Sequence, residues 1–103
     1  MTYQANDDWI ESDTEALLES LVLLETTEEA AHFLRDLCTR RELTEMSKRW
    51  AVARLLDEGR SYRSISEETG ASTATVTRIA QWLNHGTGGY RMMLDRAGGR
   101  PKT

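Results

Sequence analysis

Residues 62–81, YRSISEETGASTATVTRIAQ, hold two short helical patterns on either side of a glycine. Before Gly70, one interior apolar residue, Ile65, stands beside the small Ser66, where two helices can cross closely. After it, Val76, Ile79, Ala80 and Leu83 recur at three- and four-residue spacing and give a second helix one apolar stripe. Gly70 can adopt the positive φ that a tight turn between the two requires. This is the layout of a helix-turn-helix over residues 62–84. The second helix is rich in threonine, a mediocre helix former. At about 100° per residue, Ala74, Thr77, Arg78 and Gln81 share the face opposite the stripe, and Ser72 and Thr73 stand at its start.

A helix that enters the major groove needs short outer side chains, so that its backbone comes near the base edges. Threonine offers a hydroxyl to bases or phosphates and a methyl to thymine. Alanine can meet a thymine methyl, and arginine can read guanine. The free N–H groups and dipole at the helix start also favour a nearby phosphate. The candidate DNA-contacting residues are therefore Ser72, Thr73, Ala74, Thr75, Thr77, Arg78 and Gln81. Arg63, in the preceding helix, is placed to grip the backbone, with Arg54 and Arg60 as further phosphate candidates. A competing reading keeps the serines and threonines as cap and turn chemistry. Another keeps the helix-turn-helix but makes it a scaffold for protein interaction without selective DNA binding.

Outward from the motif, every segment reads as helix or link. Asp13 can cap a first helix over about 14–25, with Leu17, Leu18, Leu21, Val22 and Leu24 on its apolar side. Thr26 and Glu29 fit a capping box that starts a second helix running to about Cys38. TRREL, residues 39–43, reads as a short link, and Thr44 as the cap of a third helix ended by Gly59. That helix is apolar nearly all round, which predicts a central, buried position. Ser61 and Ser72 cap the next two helices, Gly86 stops the second of them, and one last turn is expected near residues 90–94. No segment alternates as a strand does. The fold class is all-α: an irregular acidic segment over 1–12, a helical domain over 13–96 and a flexible tail over 97–103.

The net charge of −4 conceals an asymmetry. The first 33 residues hold nine acids and no lysine or arginine; the remainder holds all 13 bases and eight acids, a balance of +5. A phosphate-binding surface needs only local positive potential, so the acidity of the whole chain does not exclude DNA. No run approaches a membrane span, and the acidic start resembles neither a signal nor a transit peptide. The single cysteine, Cys38, forms no intramolecular disulfide. Together these predict a reducing, cytoplasmic location. His32 and His85 lack metal-ligand spacing, no phosphate loop or nucleophile motif occurs, and neither an enzyme, a metal nor a cofactor is expected.

The segments FLRDLCTRREL, RLLDEGRSYRSIS, TGASTATVTR and GYRMMLDR together resemble the Trp repressor superfamily, in its YerC/YecD-type branch of Trp-repressor-related proteins. The resemblance covers roughly residues 17–96. It implies an interlocked homodimer in which each chain's helix-turn-helix reads one half of a pseudo-palindromic double-stranded operator. In the family, tryptophan sits between two arginines, beside a threonine and against a glycine. Thr39, Arg49 and Arg78 match the first three, but Ile79 stands at the glycine and Trp82 at a nearby serine. A branched side chain removes the space that glycine leaves for the indole. The expectation is a regulator, a repressor, that does not use L-tryptophan as corepressor. It would bind DNA unliganded or with another small-molecule effector, for which Thr39, Arg49, Arg78, Ile79 and Trp82 are the candidate pocket.

Overall fold

The computed structural model describes residues 7–98. They form six helices and no strand: α1 (Ser12–Val22), α2 (Thr27–Leu37), α3 (Arg40–Asp57), α4 (Tyr62–Thr69), α5 (Thr73–His85) and α6 (Gly89–Ala97). The chain divides into two units between Thr39 and Arg40. Half of the irregular segment expected before residue 13, and most of the expected tail, lie outside the described residues.

The first unit holds α1 and α2. α1 starts at Ser12, so Asp13 lies in its first turn instead of capping it, with Glu15 beside it. There both acids complement the helix dipole. α1 also ends at Val22, short of the expected residue 25. The start of α2 takes over: Thr26 Oγ1 accepts from the Glu29 N–H at 3.0 Å, and the Glu25 N–H donates to Glu29 Oε1 at 2.8 Å. This reciprocal box commits Glu25 and Thr26 to the second helix. No residue of α1 or α2 is buried, and Leu17, Leu21, Val22, Leu23 and Leu37 remain exposed.

The second unit is built on α3, which packs against α4, α5 and α6. α3 begins at Arg40, so the residues read as a link after Thr39 are helical, and Thr44 lies inside the helix. Arginine, glutamate and leucine are good helix formers, and no glycine or proline interrupts them. Gly59, at φ +84°, closes α3. Its N–H reaches the Leu56 carbonyl and the Arg60 N–H reaches that of Leu55, a Schellman closure. Val52 and Ala53 of α3 join Ile65, Ala71, Val76, Ile79, Ala80 and Leu94 as the buried apolar residues. The rest of the apolar surface of α3 is less enclosed than expected: Trp50, Ala51, Leu55 and Leu56 are half-buried.

α6 is a nine-residue helix where a single turn was expected. Burial of Leu94 anchors one side of it. Arg91 anchors another, donating from Nη1 to Asp57 of α3 at 2.8 Å and lying 3.5 Å from Asp95.

Candidate nucleic-acid interface

Local chemistry fixes the α4–α5 corner. Ser61 and Ser72 each cap their helix, accepting from the N–H of Ser64 and of Thr75 at 3.1 Å. Gly70 takes φ +79°. The Ser66 hydroxyl donates to the Ala71 carbonyl at 2.6 Å, the Thr69 hydroxyl donates to the Ile65 carbonyl at 2.7 Å, and the Ala71 N–H donates back to Thr69 Oγ1. These side-chain bonds span the turn, so the angle between the helices is set by bonds as well as by packing. Val76, Ile79 and Ala80 bury one face of α5.

The other face presents most of the expected set. Ser72, Thr73, Ala74, Thr77, Arg78 and Gln81 are exposed; Thr75 is half-buried, with its Oγ1 held by the Ser72 hydroxyl at 3.0 Å. Thr77 donates its hydroxyl to the Thr73 carbonyl at 2.9 Å. Arg63 stands out from α4 with 89 % of its side chain exposed, and Glu67 is only loosely paired to it at 3.8 Å. Arg60 is committed elsewhere: its guanidinium bonds Ser64 and pairs with Glu68 at 2.7 Å, bracing the start of α4. Arg54 is exposed, beside Lys48, Arg60 and Glu68 in a polar groove of about 600 Å³ between α3 and α4.

The candidate effector residues differ in exposure and are divided between the two units. Ile79 is 1 % exposed and belongs to the core. Arg49 and Arg78 are both exposed, and Thr39 lies in the first unit. Trp82, 47 % exposed, lines an apolar groove of about 540 Å³ with Trp50, Gly86, Tyr90, Met92 and Met93. The Trp50 and Tyr90 rings lie nearly parallel there, 8° apart in plane with centroids 6.4 Å apart. Burial raises the pKa of the Tyr90 phenol and nearby Arg49 opposes the shift, so the phenol is neutral at physiological pH. The expected burial of the third helix covered Trp50, and Tyr90, Met92 and Met93 were not expected as groove lining. The cluster of large apolar residues in GYRMM was the available signal. Among the described residues, no group of three or more His, Cys, Asp or Glu side chains is placed to hold a metal ion. Nor is any helix long and apolar enough to cross a membrane.

Known proteins share both sequence and architecture with this chain. The family model for Trp repressor protein matches residues 12–98. The uncharacterised protein YerC of Bacillus subtilis is 44 % identical over 84 residues, spanning 82 % of this chain and 81 % of YerC. The crystal structure of a TrpR-like protein from Eubacterium eligens superposes with a TM-score of 0.84 at 38 % identity, covering 93 % of this chain and 99 % of that one. A candidate Trp repressor from Staphylococcus aureus gives 0.85 at 33 % identity, covering 97 % and 100 %. With an all-helical architecture, a helix-turn-helix at α4–α5 and a family match running from α1 to α6, the chain belongs to the Trp repressor family.

Proposed function

We propose that this protein is a homodimeric transcriptional regulator, acting as a repressor in the bacterial cytoplasm or nucleoid. It reads a pseudo-palindromic double-stranded DNA operator without L-tryptophan as corepressor. The observation that carries the reading is the α5 surface. A helix fixed by its own turn chemistry exposes short side chains and Arg78, which has no ion pair among the described residues, with Arg63 alongside on α4. Short side chains allow close approach to base edges, and the two guanidiniums supply guanine or phosphate contacts. Independence from tryptophan is supported by Ile79, a branched residue at the position where the family has the glycine that leaves room for the indole. Dimerisation is supported by α1 and α2, whose apolar side chains bury nothing completely within their own unit. A two-fold partner is the usual cover for such a face in a regulator that reads two half-sites.

The test is selection of bound duplexes from a fragmented genomic pool at near-physiological salt, with and without L-tryptophan. A two-fold motif recovered without the amino acid is expected. Arg63→Ala and Arg78→Ala should each weaken binding to the recovered site at least about tenfold and leave the assembly intact. A motif that requires tryptophan would overturn the corepressor-independent reading. No enrichment in either condition would favour the interaction scaffold, with any other small-molecule effector sought next.

A further inference from the structure

We infer that α5 reads the C5 methyl group of thymine, through the methyl groups of Ala74 and Thr77. The inference rests on α5 being the DNA-reading helix and adds what it reads. The hydroxyls of α5 are unequal. Those of Ser72 and Thr75 are bonded to each other in the cap. The Thr77 hydroxyl is turned inward onto the Thr73 carbonyl at 2.9 Å, yet the residue is exposed. Its proton is therefore unavailable to the acceptors that guanine and phosphate present, and its methyl is the group left to face outward. Ala74 lies three positions earlier, within about 5–6 Å on the same helical face. It is exposed and offers nothing but a methyl.

The two residues form a small apolar patch beside the exposed Thr73, Arg78 and Gln81. Thymine is the one base whose major-groove edge carries an apolar group, and alanine and threonine methyls are the side-chain groups that meet it. Arg78 adjoins both residues on that face and forms no ion pair within the described residues, so it remains available to the neighbouring base pair. Thr77 Oγ1 retains lone pairs that could accept from an adenine or cytosine amino group. Methyl and hydroxyl readouts are therefore the two alternatives, and they separate cleanly by chemistry.

The experiment begins with selection from a randomised duplex pool, followed by replacement of each thymine in the recovered site by deoxyuridine. Uracil pairs identically and lacks only the methyl. At one or two thymines per half-site, uracil should weaken binding by about fourfold for each half-site, as expected for one apolar carbon lost from a buried contact. Thr77→Val, which keeps the methyl and puts a second one in place of the hydroxyl, should preserve the preference for thymine over uracil. Thr77→Ser, which keeps the hydroxyl and removes the methyl, should reduce it. Uracil tolerated at every position of a site the protein does select would overturn the inference and leave the regulator reading in place. So would loss of the preference in Thr77→Val. No recovered site at all would overturn the regulator reading, and this inference with it. The uracil scan on the unmodified protein needs no variant to fold.

Discussion

At Gly70 the backbone sits at φ +79°, and a methyl group placed on its Cα would meet no atom within 4 Å. Any effect of a side chain there is thus conformational, free of clash. Gly70→Ala should cost about 1 kcal/mol in urea denaturation, the strain of an L-residue in the left-handed region, and Gly70→Asn should cost less. Gly86 is the opposite case: its φ is ordinary, but a Cβ would overlap the Trp82 carbonyl. The role of Gly70 was legible because a turn between two helical patterns demands its freedom. That of Gly86 was legible only as a stop, because the carbonyl it makes room for is a feature of the folded helix end. The exposed residues of α5 were legible for a similarly local reason: one face of a helix follows from a single periodicity.

At the scale of elements, starts written in side-chain chemistry were readable and starts without it were not. The Thr26–Glu29 box and the Ser61 and Ser72 caps are local signals, and each begins its helix where expected. α3 has no such marker at Arg40, and Thr44 imitates one four residues later. A threonine hydroxyl caps or rides inside a helix according to what precedes it, and here helix formers precede it. α6 was underestimated because part of its support comes from α3. Asp57 is mostly enclosed, and Arg91 binds it across 34 residues of sequence. Arg91→Ala should lower stability by about 1 kcal/mol, a value held down by the partial exposure of the guanidinium. Amide hydrogen exchange should accelerate in α6 before it does in α4 or α5.

The whole molecule combines an acidic sequence front with a basic remainder, and a buried core confined to the second unit. An α1–α2 pair that buries no residue has little independent stability, since short helices in water depend on packing. If the proposed dimer supplies that packing, the melting temperature should rise as protein concentration is increased over about a hundredfold range, and a monomer would show no such dependence. Binding to a selected duplex should weaken steeply with salt, by about 0.9 of a logarithmic unit per tenfold increase in salt for each phosphate neutralised. The candidate effector site was the least legible part. It was assembled from residues distant in sequence, although the spacing had already put one of them, Ile79, on the apolar stripe that α5 buries.

The unlike surroundings of the three tryptophans have an optical consequence. Trp9 and Trp82 meet water, whereas the Trp50 ring lies half-buried against Tyr90. Under excitation the exposed indoles emit toward the red and are open to ionic quenchers, and the Trp50 indole is shielded. Trp82 lies one helical turn beyond Arg78, on the helix proposed to enter the groove. A Trp9→Phe form would leave Trp82 as the principal exposed emitter, giving the chain an intrinsic fluorescent reporter one turn from its reading surface.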